Sequence, residues 1–241
     1  MYSERIVPGI ASPGIVAIHL KRYEFASPFV EHADVLDAGC GAGYGCAVLA
    51  RGAQRVVGLD RSDEALAYAR ANYAAANVEF VQGDLLDLPF PDGSFDVVCA
   101  FETIEHVEDA GVFLDELARV LRADGTLIVS TPRAVTTTYE PRNPFHRVEF
   151  APSDFEMLLS RSFETVELYG QRRLQTRRHR LLQRVDLLGL RKRLPWLRRA
   201  SRLLGTPAMA DVGLNGLVIE RDRIERASEL VAVCSGPRRQ A

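Results

Sequence analysis

Cysteine is scarce in this chain: four in 241 residues, at 40, 46, 99 and 234. They have neither the paired spacing of a zinc site nor the density of a disulfide-stapled scaffold. They are therefore read as reduced thiols, and the protein as cytoplasmic. No apolar run approaches the ~20 residues of a membrane span. The opening MYSERIVPGIASPG has prolines, glycines and early charges where a secretory leader has an apolar stretch. Apolar residues at 47% and charged residues at 26% exclude wholesale disorder and collagen-like sequence. Internal repeats are also lacking. The net charge of −2 is small only as an average. Between Gln171 and Leu204 twelve arginines and lysines face Asp186 alone, a local +11 that leaves −13 on the rest. Such asymmetry points to an acidic partner for that segment.

What is present is an alternation of strand and helix signals. Val16 to Ala26 predicts a short helix bringing Ile18, Arg22 and Phe25 together. ADVLDAG reads as a strand entering a glycine loop, CAVLARG as the helix after it, and RVVGLD as a second strand. Ser62 then caps a helix running to Tyr73, with Asp63 and Glu64 in its first turn. VEFVQGD and FDVVCAF are the third and fourth strands. FLDELARVLR is a helix stopped by Asp124 and Gly125, and TLIVSTP is the fifth strand. PSDFEMLLSRS is helical with Ser153 as cap, and FETVELYG and ELVAVCS complete seven strands. The expected fold is therefore α/β, a doubly wound, mostly parallel seven-stranded sheet, with a basic helical insertion before the last strand. The organisation expected is an arm at 1–29, a core at 30–170, the insertion at 171–210 and a C-terminal return at 211–241. Ligands of such sheets bind beyond the carboxyl ends of the strands.

VLDAGCGAGYG has glycines at 39, 41, 43 and 45, yet it is not the dinucleotide fingerprint, because Tyr44 and Cys46 stand where a third glycine belongs. No Gly-Lys-Ser/Thr follows, so it is not a phosphate loop. It does place Asp37 before a turn whose missing side chains let a backbone approach a ligand. Asp60 ends the next strand, where an acid can accept two ribose hydroxyls.

DAGCGAG, Asp60, Gly83-Asp84 after the third strand and FDVVCAFETIEHV at the fourth together resemble class I S-adenosylmethionine-dependent methyltransferases, over roughly residues 30 to 170. SERIVPG, HLKRYEFA, GYG and NPFHRVEF narrow the likeness to methyltransferases of bacterial sugar and polysaccharide biosynthesis. The resemblance implies a Rossmann-like methyltransferase fold and S-adenosylmethionine as cofactor. Asp37, Gly39, Cys40, Gly41 and Gly43 would line its methionine part. Asp60, with Arg61 beside it, would hold the ribose. Asp84 would take the adenine amino group, with Leu85 near the ring, and the Phe101 backbone the ammonium. Arg22 and Tyr23 would sit on a helix covering the cofactor.

Methylating a sugar hydroxyl needs a base or a metal that lowers its pKa. Glu102, Glu105 and His106 stand at i, i+3 and i+4, a spacing that one helical turn brings to one face. NPFH at 143–146 could close over the same place. ExxEH with a later histidine resembles the metal set of certain metal-dependent O-methyltransferases of the quinone-biosynthesis and small-RNA types. That likeness implies a divalent ion, magnesium or manganese, on Glu102, Glu105, His106 and His146. ExxEH also occurs where the Glu and His only line a substrate pocket, and then His106 or His146 is the candidate base; Glu149 is a weaker one.

The basic insertion places Leu174, Leu181, Val185 and Leu188 at helical spacing, with Pro195 dividing it and Trp196 suited to an interface. It reads as a lid or substrate-domain helix, or as a peripheral membrane contact through 172–204. Nucleic acid is least favoured, because the only rings are Trp196 and His179. The function expected is O-methylation of a sugar or saccharide hydroxyl, with divalent-metal assistance. The alternatives are a quinone-like phenol at a membrane surface, an RNA 2′-hydroxyl, and a non-catalytic cofactor-binding protein. A homo-oligomer is left open.

Overall fold

The computed structural model describes residues 6–174 and 213–238. Helix α1 (Pro13–Ala26) leads into strand β1 (Asp34–Ala38), α2 (Tyr44–Leu49), β2 (Arg55–Asp60), α3 (Asp63–Tyr73) and β3 (Val78–Gln82). Then come β4 (Phe95–Phe101), α4 (Ala110–Val120), β5 (Leu121–Pro132), α5 (Pro152–Ser162), β6 (Phe163–Arg173), β7 (Leu217–Glu220) and β8 (Glu229–Pro237). The sheet order is β3-β2-β1-β4-β5-β8-β6-β7. The strands from β3 to β5 pair in parallel, and β8, β6 and β7 join antiparallel.

Among the described residues the sheet thus has eight strands rather than the expected seven. The extra one, β7, is a four-residue edge strand on β6. Strand β6 also continues through Arg173, so the first residues assigned to the basic insertion belong to the sheet. The rest of that insertion, with its lid, membrane and nucleic-acid readings, lies outside the described residues. No described helix is long and apolar enough to cross a membrane.

The apolar strands form because both faces of the sheet are covered. Leu36, Val57, Val98 and Leu127 turn toward Phe113, Leu117 and Phe155 of α4 and α5. Val35, Val56, Cys99 and Ile128 turn toward Tyr23, Leu49 and Leu66 of the other helices. Ser62 caps α3 as expected, its hydroxyl accepting from the Ala65 N–H at 3.3 Å. Asp109 caps α4 through the Gly111 and Val112 N–H groups. Helix α4 ends at Val120, before the expected Asp124-Gly125 stop, because Leu121 already pairs with Phe95 of β4. Strand order reverses between β1 and β4, which opens a crevice at their carboxyl ends.

Candidate cofactor and acceptor site

A cavity of about 770 Å³ occupies that crevice. Its wall includes Gly39, Cys40, Gly41, Asp60, Arg61, Asp84, Leu85, Phe101, Glu102 and His106, the ends of β1 to β4 that the sequence singles out. The glycine turn is shaped by its neighbours. Gly39 has φ +83°, and a Cβ there would stand 2.8 Å from the Thr103 hydroxyl, so both the backbone and the space demand glycine. Asp60 braces the turn from β2: one carboxylate oxygen accepts from the Gly41 N–H at 3.0 Å and the other from the Ser62 N–H at 2.9 Å. Each oxygen keeps a second lone-pair direction for a ligand hydroxyl.

Asp37 lies under this turn and is 1% exposed, not on the cavity wall. The Tyr23 hydroxyl reaches its two oxygens at 3.3 and 3.2 Å, and the Cys46 thiol donates at 3.3 Å. Burial pushes the Asp37 carboxyl up to about 7, against the pull of these two donors. Gly43 also stands behind the wall, packed on Ala69 and Phe80.

Arg22 is placed differently from the expected cofactor contact. It is wholly buried behind the cavity, with its guanidinium 3.3 Å from a Glu102 oxygen and 3.6 Å from a Glu229 oxygen. Glu229 is pushed up to about 8 by burial and by the Glu102 charge beside it. Arg22 holds Glu102, which also accepts from the Ser130 hydroxyl at 3.0 Å.

The expected helical turn carrying Glu102, Glu105 and His106 does not form. The Glu102 N–H is claimed by Ser130 of β5, through its carbonyl at 3.2 Å and its hydroxyl at 3.1 Å, and Glu102 takes a left-handed φ of +52°. Glu102 therefore points to Arg22 while Glu105 and His106 go elsewhere. Glu105, His106 and His146 do meet, with one ligand-type atom from each within 4.8 Å of the others.

That trio does not suit a catalytic ion. His146 has both ring nitrogens engaged, Nδ1 with a Glu149 carboxylate oxygen at 3.0 Å and Nε2 with the Asn143 amide nitrogen at 2.8 Å. Neither His146 nor Glu105 faces the cavity, and Glu105 is fully buried, where desolvation and the Glu102 charge hold its carboxyl well above the usual range. The four-residue metal set read from the sequence is thus not assembled. The NPFH segment does come beside ExxEH: the His106 and His146 rings lie edge to face with centroids 5.0 Å apart.

Residues 36–129 match the family model described as a methyltransferase domain. A probable S-adenosylmethionine-dependent methyltransferase of Mycolicibacterium smegmatis is 38% identical over 175 residues, 69% of this chain and 66% of that protein. The chain carries a class I S-adenosylmethionine-dependent methyltransferase domain. A fatty-acid O-methyltransferase of the same organism is 40% identical over 119 residues, 48% of this chain and 43% of that protein. The chain thus spans just under two thirds of the first relative's length and less than half of the second's. For the fold alone, a putative methyltransferase solved in complex with the Haloferax volcanii Trm112 activator superposes with a TM-score of 0.62 at 21% identity, covering 95% of this chain and 93% of that one.

Several wall residues, inside the matched domain and outside it, escape the motif reading. Thr103 sits in the ExxEH segment, and its hydroxyl donates to the Ala38 and Phe101 carbonyls, locking the fourth strand end to the glycine turn. His19 enters from α1 beside Tyr23, the residue expected on a covering helix, Tyr44 from α2, and Glu108 and Arg147 from the loops at the mouth. The one signal for His19 is its four-residue spacing from Tyr23, which puts both on one helix face.

Proposed function

We propose that this protein transfers the methyl group of S-adenosylmethionine to an oxygen of a hydroxylated small molecule, of the sugar or saccharide class, with His106 as general base. The observation carrying this reading is the setting of the His106 ring. Its Nδ1 lies 2.8 Å from the Phe145 carbonyl oxygen, which can only accept, so in the neutral ring Nδ1 carries the hydrogen and Nε2, 4.0 Å from a Glu105 carboxylate oxygen, is the basic nitrogen. His106 lines the cavity at the end of β4, beside Phe101 and Glu102. The cofactor's adenosine would lie toward Asp60, Asp84 and Leu85, and its methionine part over the glycine turn, leaving the acceptor end to His106, Val107, Glu108 and Arg147. Glu108 and Arg147, paired at 2.8 Å, make that end polar, which favours an acceptor with several hydroxyls over a bare hydrocarbon. Attack is in line on the methyl carbon: the acceptor oxygen forms the new C–O bond, the C–S bond breaks to S-adenosylhomocysteine, and Nε2 takes the hydroxyl proton. Holding the two reactants in that geometry supplies much of the acceleration.

A second reading has one support, the relative named a fatty-acid O-methyltransferase. There the acceptor would be a carboxylate paired with Arg147, ionised already and needing no base. Transfer of tritiated methyl to panels of saccharides, phenols and fatty acids, by wild type and His106→Ala, separates the two. The proposal expects labelled saccharide and a rate lowered by roughly 10² or more in the variant. Labelled fatty acid with an unchanged rate in His106→Ala would overturn it.

A further inference from the structure

Tyr23 has a hydroxyl on a buried acid, a ring at the centre of an aromatic group, and a glycine opposite it whose space it fills. It stands on α1, outside the matched domain, and is 5% exposed. Its ring meets Phe101 edge to face at 4.9 Å and Tyr44 at 5.9 Å, so it joins the end of β4 to the start of α2. A Cβ on Gly45 would fall 2.0 Å from its Cζ and 2.4 Å from its hydroxyl, a clash that no rotamer of a packed ring relieves. Gly45 is therefore explained by the Tyr23 ring and not by the cofactor turn.

We propose that Tyr23 is a cofactor-positioning residue: its hydroxyl holds Asp37 in place and favours the ionised carboxylate under the glycine turn, where the cofactor's positive charge needs it. The inference rests on the S-adenosylmethionine-binding reading above. The groups facing Asp37 are Tyr23 from α1, Cys46 and Tyr44 from α2, Cys99 from β4 and Asp60 from β2. Of these, Tyr23 and Cys46 donate hydrogen bonds to it, and the Asp60 charge works against its ionisation. Removing the phenol donor leaves Cys46 alone to support the charge. Cofactor affinity in Tyr23→Phe then requires a higher pH.

The test is calorimetric titration of S-adenosylmethionine into wild type and Tyr23→Phe across neutral pH, with apo melting curves as a check on folding. Wild-type affinity should rise with pH through about 7. The variant, which keeps the ring, should bind about tenfold more weakly near neutrality, with its midpoint moved about one pH unit to the alkaline side and the gap closing at high pH. Gly45→Ala, which keeps the phenol and displaces the ring, should reproduce the alkaline shift. Equal weakening at every pH, or superimposable curves, would mean Tyr23 only packs and would overturn the proposal. Absence of binding by wild type overturns the underlying function instead.

Discussion

Asparagine at position 37 keeps the shape of the buried side chain and removes its charge. The Asp37 carboxyl is pushed from 3.8 up to about 7 by burial, so the folded protein holds its proton more tightly than the unfolded chain does. The stability this group contributes is fully present below about pH 4 and is lost as the pH rises through about 7. Three units at about 1.4 kcal/mol each amount to roughly 4 kcal/mol, an upper figure because asparagine cannot accept from Tyr23 and Cys46 as well as a carboxylate does. Urea denaturation from about pH 4 to about pH 8.5 should show Asp37→Asn gaining on wild type steadily up to about pH 7 and holding a constant lead above it. Glu105 and Glu229, also raised by burial, titrate in both proteins and cancel in the difference. Cofactor affinity should move the other way, weaker by roughly tenfold or more in the variant at alkaline pH, as befits loss of a charged partner. A difference in stability that does not change with pH would refute the burial argument.

His106→Gln should lower kcat by roughly 10² to 10⁴ with a hydroxyl acceptor while leaving the Kd for S-adenosylmethionine unchanged, measured by initial rates and calorimetry. Arg22→Met leaves Glu102 and Glu229 without their cation, and a loss of about 3–5 kcal/mol is expected in urea melts. Gly39→Ala must hold alanine at φ +83° against Thr103, so it should lose at least about 1–2 kcal/mol and bind the cofactor more weakly, read by thermal shift with and without ligand. Because His146 is already committed to Asn143 and Glu149, methyl transfer should be unchanged after chelation with EDTA; recovery of a lost rate by magnesium or manganese would count against that geometry.

The parallel half of the sheet is legible in the sequence because Val35-Leu36, Val56-Val57 and Val97 to Ala100 are apolar on consecutive residues, as strands buried on both faces must be. Ser62 is legible as a cap because its bond spans three residues. Long-range contacts are not. The Glu102 to His106 spacing fits a helix as well as a turn, and the Ser130 bonds that choose the turn come from another strand. Arg22 reads as one position on an amphipathic arm, since nothing local ties it to Glu229 near the far end of the chain. Gly45 reads as part of a glycine run, yet its cause is a tyrosine on a preceding helix. The short β7 lacks the length to announce itself.

The most direct measurement is equilibrium binding of tritiated S-adenosylmethionine to wild type, Asp60→Ala and Asp124→Ala. Asp60 braces the glycine turn, and Asp124 is an exposed residue near the start of β5, away from the cavity. Saturable one-to-one binding should appear in wild type and Asp124→Ala and be weakened at least tenfold in Asp60→Ala. No saturable binding by wild type, or equal binding by all three proteins, would contradict the placement of the cofactor at the carboxyl ends of β1, β2 and β4.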